Sequence, residues 1–369
     1  MLPFLDELSG NPSSLHDWGD SAREAVAEAR ARVARLIGAG AEEIIFTSCG
    51  TESNNLAVKG LALARQNKGR HLVISAIEHF SVLHSARTLE KMGFELSLVP
   101  VDSSGMVDPD DVRQSLRPDT VLVSILHGSN EVGTIEPIRE IARITREHKV
   151  PLHTDAVATA GNIPVDVAEL GVDALSLAGN QFYGPQGAAA LWVRPGVRLI
   201  PQLDGGVQEG GRRSGTENVA AIVGLGKAAE LASDNMTVRM GHLSRLRDRL
   251  LDELPQRIDH TVVTGDTTSR LPGNASFCIE FIEGESILMM LNSKGVAASS
   301  GSACTSRALK ASHVLIAMGI THELAQGSIV FSLGVDNSPE DVGYVLEVLP
   351  PIVDRLRQMS PLYARFIKG

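Results

Sequence analysis

The sequence predicts an α/β protein: a mainly parallel sheet covered by helices on both faces, followed by a smaller α+β domain. Three observations lead there. Over the first 225 residues, short apolar runs alternate with stretches of helical periodicity. Several of those runs are almost continuously apolar, as strands of a parallel sheet buried on both faces are. Past Gly205-Gly206 the pattern changes to one long helical run and then a few short strands set between helices.

The elements follow in order. Residues 21–37 (SAREAVAEARARVARLI) repeat Ala, Val and Leu at three- and four-residue spacing, the mark of an amphipathic helix. Residues 43–47 (EIIFT) form a short strand, and 51–64 return to helix. HLVISA (71–76), FELSLVP (94–100), TVLVSIL (120–126), VPLHT (150–154), DALSLA (173–178) and AAALWV (188–193) are strands joined mostly by crossover helices. The segment GGVQEGGRRSGTEN (205–218) is too polar for a core. A long helix runs from Val219 to about Leu254. Strands at 275–280, 296–299 and 328–333 then alternate with helices near 285–294, 307–318 and 339–358. The expected boundary falls inside the long helix, giving a large domain over 1–235 and a small one over 236–369 that carries the Cys304 loop.

Composition narrows the function. The chain has 369 residues, 34 basic against 44 acidic, for a net charge of -10, which argues against nucleic acid as the main partner. No apolar run reaches the roughly 18 residues of a membrane span. The opening MLPFLDELSGNPSS has neither a charged leader nor a long apolar stretch and is not read as a signal peptide. Cys49, Cys278 and Cys304 are far apart and form no zinc or disulfide pattern, so the expected setting is a reducing cytoplasm.

Candidate site residues sit at strand ends. In FTSCGTESNN (46–55) a strand meets a helix N-terminus, where free N–H groups, Gly50 and the Thr51 hydroxyl suit an anion; the same residues also suit a simply capped helix start. Asp155, in HTDA, ends a parallel strand, where open α/β sheets bind ligands; it could equally cap the next turn. His79 ends another strand.

These landmarks have company: GNPSS (10–14), FTSCGTESNNLAVKG (46–60), EHFSVL (78–83), NEVGTIEPI (130–138), HTDAV (153–157), FYGPQG (182–187), GGVQEGGRRSGTEN (205–218) and SSGSACTS (299–306). In this order they resemble the cysteine desulfurases, pyridoxal-phosphate enzymes of the class V aminotransferase group, and the resemblance runs along nearly the whole chain. It implies the fold-type-I transferase architecture, with a mainly parallel seven-stranded sheet, a smaller domain and a homodimer with shared active sites. Relative to the family, this chain starts at what resembles the helix after a short strand and an Asn/Ala/Thr-rich turn.

The resemblance also assigns roles. Thr51 matches a phosphate ligand, His79 the ring that stacks on the pyridine, and Asp155 the carboxylate that pairs with the pyridine nitrogen. Arg213 and Thr216 match residues that approach the neighbouring subunit's site. Cys304 matches the cysteine that accepts sulfur as a persulfide and passes it on. Six positions depart from the family. Gln181 stands where a lysine attaches the cofactor covalently, and an amide cannot do this. No lysine lies between Lys149 and Lys227 to replace it. Ala178 and Asn180 replace a serine and a histidine at the phosphate, and Ala158 replaces a glutamine near the phenolic oxygen. Ser129 replaces an asparagine, and Val330 an arginine that clamps the substrate carboxylate, a contact worth on the order of 2–5 kcal/mol when buried. Cys278 reads as core, and Cys49 carries no assigned role.

Three functions remain in view. The first is a sulfur-relay protein of iron–sulfur assembly without lysine-dependent catalysis. It would present Cys304 to a scaffold protein or other sulfur acceptor, as a persulfide carrier or as a ligand to a shared [2Fe-2S] cluster. The second is an active cysteine desulfurase holding pyridoxal phosphate non-covalently, and the third a non-catalytic regulatory subunit. The bound groups to expect are correspondingly none, residual pyridoxal phosphate, or the cluster.

Overall fold

The computed structural model describes residues 1–301 and 311–368. The chain divides into two compact units. The first comprises 1–99, 107–127 and 136–236; the second comprises 100–106, 128–135 and 237–369.

The first unit opens with α1 (Asp17–Leu36), whose buried face is Ala22, Val26, Ala29 and Val33 at three- and four-residue spacing. Then come β1 (Ile44–Thr47), α2 (Gly50–Ala64), β2 (His71–Ser75), α3 (Phe80–Lys91) and β3 (Glu95–Val99), followed by α4 (Pro109–Ser115), β4 (Thr120–Ser124), α5 (Ile138–Glu147), β5 (Leu152–Asp155), α6 (Val167–Leu170), β6 (Ala174–Ala178) and β7 (Ala189–Val193). The seven strands form one sheet in the order β1-β7-β6-β5-β4-β2-β3. From β6 to β3 the pairs are parallel. β7 runs against both its neighbours. The reason is the connection: residues 179–188 are too few for the dozen or so a parallel crossover needs. One core cluster packs α2 and α3 on the sheet through Leu56, Leu61, Val82, Leu89, Leu72 and Ile74.

The chain leaves the first unit within α7 (Val219–Arg257). The second unit holds β8 (Thr261–Val263), β9 (Asn274–Ile279), α8 (Gly284–Asn292), α9 (His313–Ala317), α10 (His322–Gln326), β10 (Ser328–Ser332), α11 (Pro339–Met359) and α12 (Pro361–Ile367). Its sheet is antiparallel, β10-β9-β8, and its core joins α7, β9, β10, α8 and α11 through Leu250, Phe277, Ile287, Phe331 and Leu346. The strand expected at 296–299 reduces to a single bridge between Ser299 and Val330. β8, α10 and α12 were not anticipated. Among the described residues no helix is long and apolar enough to cross a membrane.

Candidate active site

The first unit gathers Asp155, His79 and the start of α2 at the C-terminal ends of the parallel strands. Asp155 is the last residue of β5 and is buried. Asn54, one turn into α2, donates its amide to Asp155 Oδ2 at 2.6 Å and to Ser81 Oγ at 2.8 Å. Ser81 in turn lies 2.6 Å from His79 Nδ1, which also accepts the Ser81 backbone N–H at 3.1 Å. With Nδ1 accepting, the neutral ring carries its proton on Nε2. Four side chains thus form one hydrogen-bonded chain, with Asn54 donating both to Asp155 and to Ser81. Asn54 Oδ1 is buried and accepts no hydrogen bond among the described residues. Asn54 and Ser81 were missed from the sequence. The available signal was an asparagine three residues after Thr51, on the same helical face, among residues that are otherwise largely apolar.

Burial pushes the Asp155 carboxyl above the ordinary carboxylate range, while the Val157 N–H and the Asn54 amide pull it back. Glu78, beside His79 in sequence, is pushed up to about 8, chiefly by burial and further by Asp155 and Glu136; bonds from Ser75 Oγ and Leu126 N oppose the rise. His153, fully buried between Ser124 and Ser176, is pushed down to about 3 by desolvation.

Thr51 is exposed in the first turn of α2, whose N-cap Cys49 makes no side-chain capping bond. Glu52 instead folds back onto Ser48, accepting from its N–H at 2.8 Å and its hydroxyl at 2.5 Å. A side chain at Gly50 would meet Val157 at 2.7 Å, so the α2 N-terminus lies hard against the segment after β5.

The turn after β6 is different. Ala178 ends the strand and is buried; Asn180 and Gln181 are exposed on a short 3₁₀ turn. It is held through its main chain: the Asn162 side-chain amide donates to Gln181 O at 3.1 Å, and Gly184 N to Gly179 O at 2.8 Å. Of the lysines flanking this region in sequence, Lys227 is paired with Glu230, and Lys149 precedes β5 at the opposite strand ends.

The polar loop 205–218 is anchored within its own chain. Glu209 is buried, takes Arg30 through both oxygens at 2.7 and 2.8 Å, and accepts Phe46 N at 2.9 Å. Arg213 pairs with Glu52 at 2.8 Å, and Thr216 is exposed. The expectation that nothing in this loop is core fails at Glu209, because Arg30 compensates its charge.

In the second unit, Ser129 is buried and caps a turn by accepting Val132 N. Val330 is buried in β10 opposite Ser276. Cys304 lies outside the described residues. Cys278 is fully buried, its thiol pushed up to about 12 by desolvation, as expected of a core residue; Cys49 is exposed. Among the described residues no three His, Cys, Asp or Glu side chains are grouped to hold a metal.

A pyridine ring with a phosphate fits the first half of this site and not the second. Asp155 supplies a buried carboxylate for a ring nitrogen and Asn54 an unspent acceptor beside it. The exposed turn supplies no amine for covalent attachment.

Comparison with known proteins agrees with this architecture. The Aminotransferase class-V family model matches residues 1–345. The cysteine desulfurase IscS of Dictyoglomus turgidum is 50% identical over 98% of this chain and 92% of its own length. That of Methanosarcina thermophila is 50% identical over 98% and 89%. A solved NifS-like protein superimposes with a TM-score of 0.90 at 35% identity, covering 96% of this chain and 94% of that one. A NifS-like protein from Rickettsia africae gives 0.85 at 31%, covering 96% and 95%. The seven-stranded sheet, the small antiparallel sheet and identity across almost the whole chain place this protein in the class-V aminotransferase family, among the homologues of cysteine desulfurase IscS.

Proposed function

We propose that this protein handles cysteine-derived sulfur for iron–sulfur assembly in the cytoplasm, and that it does so without covalently attached pyridoxal phosphate. The observation that carries the second part is Gln181, exposed on the turn after β6 in a stretch with no lysine from 150 to 226. Cys304 is the group that would carry sulfur as a persulfide, or bind iron of a [2Fe-2S] cluster shared with a scaffold protein. A thiolate serves either role. The proposed division of labour puts recognition of any ring in the large domain, 1–235, and sulfur delivery in the small one, 236–369. We also infer a two-fold homodimer, with Thr216 contributing to the neighbouring site; light scattering should give twice the chain mass, and a monomer at micromolar concentration would contradict it.

A second reading is favoured by the intact Asp155–Asn54–Ser81–His79 chain and by the 50% identity to cysteine desulfurases. Here the protein releases sulfur from cysteine with pyridoxal phosphate held non-covalently. Asp155 would pair with the ring nitrogen, His79 would lie on the ring and Thr51 would meet the phosphate. When bound, this group supplies an aldehyde for the substrate amine and an electron-withdrawing ring. His79, its Nε2 not engaged by Ser81, is the residue available to move a proton.

One experiment separates the two. Purified protein is incubated with cysteine, with and without added pyridoxal phosphate, and both sulfide and Cys304-bound sulfur are measured. Relay without catalysis predicts sulfide release about 10²–10⁴-fold below a lysine-bearing relative, with Cys304 still loaded by a persulfide donor, whose outer sulfur passes to the Cys304 thiolate as the donor leaves as a thiol. Cys304→Ser should abolish loading while Cys278 stays unmodified. Robust release dependent on the cofactor would establish the second reading. Undiminished iron–sulfur assembly by Cys304→Ser would remove Cys304 from both.

A further inference from the structure

At the starts of β5 and β6, the strand ends opposite Asp155, the first unit has a cavity. Its volume is about 570 Å³, within the roughly 300–1,000 Å³ of small-molecule sites. Five cations line it: Arg65 and Lys68 from the end of α2, Arg146 and Lys149 from the end of α5, and Arg198 after β7. The single carboxylate in the lining, Asp173, is already occupied. Its Oδ1 takes Arg194 at 3.1 Å and its Oδ2 accepts Leu152 N at 2.9 Å. Among the described residues none of the five cations is in an ion pair.

The two best-placed guanidinium groups spend little of their donor capacity. Arg65 donates one Nη2 bond to Lys149 O at 2.9 Å, and its buried Nε has no acceptor. Arg146 Nη2 reaches only Gly171 O, at 3.3 Å. Gly171, at φ +76°, makes room for it: a Cβ there would lie 2.9 Å from that nitrogen. Lys149 itself adopts φ +58°, a conformation non-glycine residues avoid, and the Arg65 bond to its carbonyl helps to hold it. A chain of net charge -10 has thus concentrated unpaired positive charge around one concavity.

We propose that this cavity binds a small molecule carrying two or more linked phosphates, such as a nucleoside polyphosphate. Guanidinium pairs phosphate oxygens through charge-assisted, often bidentate bonds, and lysine adds point charges. Five cations exceed what one phosphate can engage. The remaining volume, walled by Leu61, Val150 and Val197, suits an apolar or planar group attached to the phosphates. The site is independent of the sulfur chemistry proposed above.

The test is calorimetric titration of the full-length protein with ATP and, separately, with inorganic tripolyphosphate, at low salt. We expect saturable binding of at least one. It should weaken steeply as salt rises toward about 0.3 M, since exposed charges are then screened. Tighter binding of ATP would identify a nucleotide site, and equal binding a site for the phosphate chain alone. Arg146→Glu combined with Arg198→Glu, both at exposed positions, should weaken binding at least tenfold while leaving the circular dichroism spectrum unchanged. Absence of binding by both probes at millimolar concentration overturns the proposal. So does undiminished affinity in the double variant, which would place the anion elsewhere, for example at the α2 N-terminus. If the double variant fails to fold, Lys68→Gln with Arg198→Gln gives the same reading, with a smaller expected loss.

Discussion

The two halves of the candidate site are held in different ways. Around Asp155, four side chains from β5, α2 and α3 bond one another, and removing any of them leaves a buried polar group unpaired. Around Gln181, the turn is held by its own main chain and by Asn162, while the Asn180 and Gln181 side chains are exposed. On the reading proposed here, the difference accounts for a resemblance that holds at Asp155 and departs at Gln181. Side chains that satisfy each other underground cannot be replaced singly without cost, about 1–3 kcal/mol for an orphaned group. Exposed side chains on a main-chain-held turn can change with little effect on the fold, within about 0.5 kcal/mol. Asp155 is therefore tied to the fold whether or not a cofactor binds, and Gln181 is not.

That contrast can be broken at Asp155. If the buried half still receives a ring, Asp155→Ala should lower affinity for pyridoxal phosphate by about 2–5 kcal/mol, or roughly 30- to several-thousand-fold, read by equilibrium dialysis. An unchanged affinity would mean that the network persists for packing alone.

Glu78 sharpens the same comparison through stability. Its carboxyl is pushed from an ordinary 4.5 up to about 8 in the folded chain, mainly by burial, with Asp155 and Glu136 adding to the rise. The folded state therefore holds a proton that the unfolded chain releases. Stability from this group is complete below pH 4.5, falls as pH rises and is lost by about pH 8. Glu78→Gln should flatten the urea midpoint between those limits and raise stability at pH 8 by a few kcal/mol at most. A wild-type midpoint rising over this range would contradict the assignment.

The sheet was legible because its strands are buried on both faces, and a run such as TVLVSIL can be little else. β8, α10 and α12 were not, being three to seven residues long and fixed by neighbours rather than by periodicity. The segment 296–299 has strand composition yet pairs only at Ser299, so tertiary context overrode its propensity. In the site, Asp155, His79 and Thr51 could be read from their places at strand and helix ends. Asn54 and Ser81 could not, since an amide and a hydroxyl inside helices acquire meaning only from what they face. Glu209 was hidden for the opposite reason. It sits in a loop whose glycines and charges indicate exposure, and only Arg30, distant in sequence, makes its burial tolerable.

The central claim of the proposed function is that, with Gln181 on the turn after β6, no lysine of this chain attaches pyridoxal phosphate. Borohydride reduction of the protein after incubation with pyridoxal phosphate, followed by peptide mass analysis, tests it most directly. It fixes any bond between cofactor and lysine as a stable adduct. The account predicts no stoichiometric adduct in the wild-type protein and a partial one on the 178–187 peptide of Gln181→Lys, partial because Ala178 and Asn180 still lack the phosphate contacts. A stoichiometric adduct on one lysine of the wild-type chain would contradict it.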